Sequence, residues 1–137
     1  MKEYDLKKLV PHRNSMLLLD EIVNIDETCA EGIYKVKGNE FFLDGHYPYK
    51  EIVPGSILCE IMAQLTAAFV GYTRRIDGIP VVAEMQNVKF KKLVLPCDLI
   101  SVKMEVIKDS FRVLRADCST YVENVMAAEA ELTIVIK

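Results

Sequence analysis

Several residue types are scarce in this sequence of 137 residues, and each scarcity excludes a class of protein. Only 6 glycines and 5 prolines are present, which excludes collagen-like and low-complexity chains. The 2 histidines are too few for a histidine-rich metal site. The 4 cysteines stand far apart without a CxxC pair, so we interpret them as small apolar side chains in a reducing compartment: Cys29, Cys59, Cys97 and Cys118.

Long apolar runs are also missing. None approaches the roughly 18 residues of a membrane helix, and residues 1–8 lack the apolar centre of a signal peptide. The 17 basic and 20 acidic residues give a net charge of −3, which argues against general affinity for nucleic acid. We therefore expect a cytoplasmic protein that binds no nucleic acid and does not span a membrane.

The residues that are present fit an ordinary globular protein. Hydrophobic residues make up 51% of the chain and charged residues 27%. A chain of this length buries roughly two-thirds of its unfolded surface, which suffices without a structural metal or disulfide. No repeat or linker interrupts the sequence, so we predict one domain over residues 1–137.

A helical pattern occupies the middle of the chain. Between Ile57 and Tyr72, apolar residues recur at spacings of three and four, and Pro54 and Ser56 suit a helix start. The other positions are mostly uncharged, among them Ala63, Ala67, Ala68 and Gly71, so the helix predicted from Gly55 to about residue 75 has almost no polar face. Such a helix is expected to be central.

Strand patterns lie on both sides of this helix. The segments are 16–25 and 33–37 before it, and 81–83, 88–91, 100–107, 111–118 and 125–136 after it. In one of them Val102, Met104 and Val106 alternate with Lys103 and Glu105, which is typical of a half-exposed antiparallel strand. The sequence therefore predicts an α+β fold in which a curved antiparallel sheet wraps one long helix.

Titratable side chains gather among apolar ones between His46 and Gln64. Burial favours the neutral form of a carboxyl group, so we interpret Glu60 as a proton donor. A neutral imidazole removes a proton near pH 7, so His46 is the candidate base. Gly55 falls at the first helical turn, where unpaired amides stabilise an oxyanion.

This set of groups suits removal of a proton next to a carbonyl, followed by loss of a leaving group. Structural roles fit the same residues: a loop histidine bonded to backbone, a helix carboxylate reaching water, and a glycine that starts a helix. Spacing alone does not separate the two interpretations.

Three segments resemble a known family. Residues 42–48 read FLDGHYP and residues 52–55 read IVPG, and Glu60 and Gln64 follow on the helix. This pattern strongly resembles the signature of FabZ-type 3-hydroxyacyl-acyl-carrier-protein dehydratases. The segment PHR at 11–13 and the segment VKFKK at 88–92 match the same family. The resemblance implies a hotdog fold that assembles as a dimer, often as a hexamer built from three dimers.

The resemblance also implies a role for each site residue. Glu60 and His46, contributed by different subunits, form the active site across the dimer interface. His46 removes the alpha proton of a 3-hydroxyacyl thioester, the Gly55 amide binds the thioester carbonyl, and Glu60 protonates the departing hydroxyl. Gln64 supports Glu60, and no metal or redox cofactor is expected. His12 lies outside this motif, so we assign it no catalytic role.

The family's substrate is carried on the phosphopantetheine arm of acyl carrier protein, an acidic partner. Lys89, Lys91 and Lys92, with Arg74 or Arg75, are candidates for a basic docking patch. The alternative is a solvated strand face.

Four positions depart from the family pattern. Tyr49 and Cys97 stand where glycine is usual, Glu51 where proline is usual, and Ser56 where an aliphatic residue is common. We interpret Glu51 as an exposed loop residue rather than a second carboxylate beside His46.

The function predicted on these grounds is dehydration to trans-2-enoyl thioesters in fatty-acid or related acyl-chain biosynthesis. A dehydratase that also isomerises the double bond needs the same two groups and stays open. So does a non-catalytic acyl-binding hotdog subunit. A hotdog thioesterase is disfavoured because it does not require this histidine and glutamate pair.

Overall fold

A computed structural model of the chain describes residues 4–44, 51–73 and 78–137. Its six strands form one antiparallel sheet in the order β1-β2-β4-β5-β6-β3. The strands are β1 Glu21–Ile25, β2 Cys29–Lys35, β3 Pro80–Phe90, β4 Leu99–Ser110, β5 Val113–Val122 and β6 Val125–Ile136. The helices are α1 Leu6–Leu9 and α2 Gly55–Thr73, and short 3₁₀ turns span Asn14–Met16 and Phe41–Leu43.

Helix α2 lies at the centre of the fold. It contacts all six strands as well as α1, and every residue from Ile61 to Val70 is buried. The helix sequence lacks a polar face because no side of the helix meets solvent along that stretch. Among the described residues, α2 is long and apolar enough to cross a membrane by length and composition, but it is the core helix.

The strands confirm the predicted alternation and correct its boundaries. Val102 and Met104 are buried against the core, whereas Lys103 and Glu105 are exposed. The segments 81–83 and 88–91 belong to a single strand, β3, whose pairing with β6 is interrupted by two register shifts. Residues 16–20 precede β1 rather than belonging to it. The Leu18 N–H donates to Gln64 on α2, whereas the Asp20 N–H, next to β1, donates to the Ile33 carbonyl of β2 at 2.8 Å.

The segment before β1 is held against α2. Val10, Leu18 and Leu19 are buried in the core. A Cβ at Gly71 of α2 would lie 2.7 Å from the carbonyl oxygen of Leu9, so the absence of a side chain lets the two backbones approach. Residues 9–19 therefore lie close along the helix that carries Glu60.

Two tight turns contain residues with a left-handed backbone. Cys97, which follows Pro96, has φ 73°, and the turn closes with a hydrogen bond of 3.1 Å from the Asp98 N–H to the Leu95 carbonyl. The β5–β6 hairpin turns through Glu123 at φ 51° and Asn124 at φ 66°. Non-glycine residues pay a cost in this region.

Glu40 organises the backbone a few residues before 45–50, which lie outside the described residues. Its carboxylate accepts hydrogen bonds from the Tyr34 hydroxyl at 2.7 Å, the Lys37 N–H at 2.9 Å and the Gly38 N–H at 2.8 Å. Partial burial, the largest influence, pushes the pKa of Glu40 upward, but the hydrogen bonds together hold that pKa below its ordinary value.

Candidate active site

Glu60 lies near the start of α2, about one and a half turns after Gly55. Its side chain is 29% exposed, so it is half-buried rather than sealed from solvent. The Nε2 atom of His12 lies 3.6 Å from Glu60 Oε1. The structure thus brings an imidazole to the predicted proton donor, but from the PHR segment and not from the FLDGHYP motif.

Gln64 lies one turn after Glu60 and is completely buried. Its side-chain oxygen accepts a hydrogen bond of 2.8 Å from the Leu18 N–H, and its amide donates one of 2.6 Å to the Met16 carbonyl. The side chain therefore joins α2 to the segment before β1. Direct support of Glu60 by Gln64 stays a prediction.

Gly55 is the first residue of α2, as predicted. The Ile57 and Leu58 N–H groups donate to the Pro54 carbonyl at 3.0 and 3.3 Å, so the amides of Gly55 and Ser56 are the candidates for binding an oxyanion at this helix start. A Cβ at Gly55 would lie 2.8 Å from carbons of the Phe90 ring on β3. Glycine at this position thus lets an aromatic side chain cover the helix start, a contact that the sequence did not reveal.

The predicted base, His46, lies at 45–50, outside the described residues, as does Tyr49. Its pairing with Glu60 therefore stays a prediction. Arg74 and Arg75 also lie outside the described residues. Glu51 and Ser56 are both exposed, and the exposure of Glu51 agrees with its interpretation as a surface loop residue.

The lysines of the candidate docking patch lie at the end of β3 and just after it. The Lys91 Nζ atom is 3.4 Å from Glu129 Oε1 and the Lys89 Nζ atom is 3.9 Å from the same oxygen, so one carboxylate offsets part of their charge. Lys92 is half-buried, and the interleaved Phe90 is exposed. The surface is mixed apolar and basic.

The four cysteines are free thiols. Burial raises the pKa of Cys118 to about 12 and also raises the pKa of Cys59, so neither is an activated nucleophile. Across residues 4–44, 51–73 and 78–137, no group of three or more histidine, cysteine, aspartate or glutamate side chains is placed to hold a metal ion.

A groove with a volume of about 610 Å³ lies on the other side of the sheet from the helix. Its lining includes Glu31, Lys103, Asp117, Tyr121 and Glu131, whereas no predicted site residue lines it. This groove is therefore separate from the carboxyl group on which the predicted chemistry depends.

Comparison with known proteins identifies the family. The model of the FabA-like domain family matches residues 10–131. A relative named 3-hydroxyacyl-[acyl-carrier-protein] dehydratase FabZ, from Caldicellulosiruptor saccharolyticus, is 36% identical over 132 residues, covering 95% of this chain and 94% of its own. A protein of the same name from Albidiferax ferrireducens is 32% identical and covers 100% of this chain and 95% of its own.

The fold has close relatives among solved structures. A chain in the structure described as the dehydratase heterocomplex ApeI:P from Xenorhabdus doucetiae superposes with a TM-score of 0.88 at 14% identity, covering 99% of this chain and 93% of that chain. The predicted hotdog fold is thereby confirmed, as is the family predicted from the motifs. The chain therefore belongs to the FabA-like family, among relatives named 3-hydroxyacyl-[acyl-carrier-protein] dehydratase FabZ.

Proposed function

We propose that this protein removes water from 3-hydroxyacyl thioesters on acyl carrier protein and releases trans-2-enoyl thioesters, within fatty-acid biosynthesis. The observation that carries the proposal is the position of Glu60, half-buried near the start of a core helix that begins with Gly55. This carboxyl is reachable by substrate and close to the helix amides. The names of the relatives with 36% and 32% identity point to the same reaction.

The reaction divides between a base, an acid and an oxyanion site. His46 takes the alpha proton, and the negative charge that develops on the thioester oxygen is stabilised by the amide of Gly55 and the helix dipole. Glu60 gives a proton to the hydroxyl group at carbon 3, which leaves as water. The electron pair of the broken carbon–hydrogen bond becomes the new double bond, so no redox cofactor is required.

The assembly proposed for this reaction is a homodimer in which Glu60 faces the partner's histidine, with three such dimers forming a hexamer in some relatives. Strand β3 supports this arrangement because it is an 11-residue edge of the sheet, whereas the opposite edge, β1, has 5 residues. Val81 and Val82 are exposed on β3. A long edge with unpaired backbone groups is suited to pairing with a second copy.

The mixed apolar and basic surface formed by Lys89, Phe90, Lys91 and Lys92 is the proposed docking site for acyl carrier protein. Its exposed ring complements the apolar acyl chain of the substrate, and its lysines complement an acidic carrier. A cytoplasmic location follows from the proposed pathway. The whole chain, residues 1–137, acts as one domain in this proposal.

The test is turnover of 3-hydroxybutyryl and longer 3-hydroxyacyl thioesters on acyl carrier protein, followed by enoyl absorbance. Wild-type protein should form enoyl product, and Glu60→Gln and His46→Ala should each reduce kcat by roughly 100-fold or more. Glu105→Gln changes an exposed carboxylate on β4 and is the matched control, with activity within about two-fold of wild type.

Three outcomes would overturn the proposal. Thiol release without enoyl product would indicate hydrolysis, and binding without turnover would indicate an acyl-binding subunit. Full activity in Glu60→Gln would remove the carboxyl from the reaction. Appearance of a shifted double bond after the enoyl product forms would add isomerisation to the same active site.

A further inference from the structure

His12 and Glu60 are 48 positions apart in the sequence yet adjacent in the fold. The Nε2 atom of His12 is 3.6 Å from Glu60 Oε1, and the two side chains are 25% and 29% exposed. The other ring nitrogen, Nδ1, is buried, and the described residues offer it no hydrogen-bond partner. The imidazole thus presents one nitrogen to the carboxyl and keeps the other away from water.

The burial of Nδ1 decides which nitrogen carries the proton of neutral imidazole. A buried N–H without an acceptor costs about 1–3 kcal/mol, and orphaned N–H groups are rarer than orphaned acceptors. The favoured tautomer therefore has its hydrogen on Nε2, the atom that faces Glu60. A slight approach from 3.6 Å would turn this contact into a hydrogen bond donated to Oε1.

The backbone that carries His12 is fixed on both sides. On one side the Arg13 guanidinium donates to the carbonyl oxygens of Lys7 at 2.6 Å, Val10 at 2.7 Å and His12 itself at 2.8 Å. On the other side Gln64 binds the backbone between residues 16 and 18. The backbone at His12 is therefore held on both sides, which limits the positions that its imidazole can take relative to Glu60.

We propose that His12 is a positioning residue for Glu60, an inference that rests on the proposed dehydration. An Nε2–H aimed at Oε1 makes that oxygen the acceptor. The acidic proton of Glu60 is then confined to Oε2, which is left to face the substrate hydroxyl. Without His12, the carboxyl rotates and places its proton on either oxygen, so a smaller fraction of molecules is ready to protonate the leaving group.

Two substitutions separate this role from simple packing. His12→Phe keeps a ring but loses the donor, and His12→Gln keeps an N–H donor without an imidazole. We expect His12→Phe to lower kcat roughly 10-fold with KM within about two-fold, because the loss falls on the transition state. His12→Gln should recover kcat to within about three-fold of wild type. In a Glu60→Gln background, adding His12→Phe should lower kcat by a further factor of less than about two.

A second measurement does not depend on activity. The chain has only 2 histidines, so the side-chain nitrogen NMR signals of His12 are assigned by their loss in His12→Phe. The expected signature above neutral pH is a protonated Nε2 and a bare Nδ1. Absence of turnover in wild type would contradict the proposed dehydration. The NMR measurement would still show whether the proton of His12 lies on Nε2, the atom that faces Glu60.

The positioning role would be refuted by several results in an active wild-type enzyme. These are an Nδ1–H tautomer, wild-type kcat in His12→Phe, or equal losses in His12→Phe and His12→Gln. A loss in His12→Phe that remains fully additive with Glu60→Gln would refute it as well, since His12 would then act independently of the carboxyl.

Discussion

Replacing Cys97 with glycine should stabilise the protein. Cys97 has φ 73° at the third position of a turn that begins with Leu95 and Pro96 and closes at Asp98. Proline followed by a residue of positive φ is the pattern of a type II turn, in which glycine is preferred at that position. The Cys97 side chain is exposed, so its removal leaves no cavity.

The magnitude follows from two opposing effects. A left-handed backbone costs an L-residue about 1–2 kcal/mol, which glycine does not pay. Glycine also increases the freedom of the unfolded chain, which costs about 0.4–1 kcal/mol. The net expectation for Cys97→Gly is an increase of about 0.5–1 kcal/mol in the free energy of unfolding, or roughly 2–4 °C in Tm.

Urea unfolding followed by circular dichroism under reducing conditions measures this change. Cys97→Ala is the control, because it removes the thiol but keeps Cβ, and its free energy of unfolding should stay within about 0.5 kcal/mol of wild type. The hydrogen bonds that use the backbone of Cys97, from its N–H to the Val36 carbonyl and from the Lys35 Nζ to its carbonyl, survive in both variants. Equal stabilisation by alanine and glycine, or a loss of stability with glycine, would refute the reasoning about φ.

Two further changes test other contacts. Glu40→Gln should cost about 1 kcal/mol at pH 7, since it weakens three hydrogen bonds to a partly exposed carboxylate. Because the pKa of Glu40 is lowered by folding, its contribution is complete above the ordinary pKa of about 4.5 and disappears as pH falls through the folded value. The difference between the free energies of unfolding of the two proteins should therefore shrink as pH falls below the ordinary pKa, and a difference independent of pH would contradict this account. Gln64→Leu should cost about 1–3 kcal/mol in the same assay, since it strands the buried N–H of Leu18, whereas the exposed Gln86→Leu should be nearly neutral.

The sequence predicted the architecture well because its patterns have direct physical causes. A helix without a polar face had to be enclosed, and α2 begins at Gly55 as predicted and is described as far as Thr73, whereas the predicted end near residue 75 lies outside the described residues. Strand β6 matches its predicted segment at both ends, and its burial alternates regularly from Ala128 to Ile136. The merging of two segments into β3 was not predictable, since the register shifts depend on its pairing with β6.

The candidate site was predicted less completely. The places of Gly55 and Glu60 on α2 agree with the sequence because their neighbours are distinctive, whereas their chemical roles stay predictions. The proximity of His12 was missed, since it depends on how residues 9–19 cross α2, and spacing along the chain carries no information about that crossing. The close approach at Gly71 was the available signal: a glycine in a helix interior is costly, which points to close packing of another backbone.

The ten consecutive buried residues from Ile61 to Val70 also limit how this enzyme can be adapted to other acyl groups. Trimming a large side chain there, to lengthen a substrate channel, would cost about 2–5 kcal/mol out of a total stability of roughly 5–15 kcal/mol. Selection for a new chain length is therefore expected to change residues on the strands and on the segment before β1. The helix itself would be the slowest part of the protein to diverge, because the same element carries ten consecutive buried residues and the proposed site residues Gly55 and Glu60.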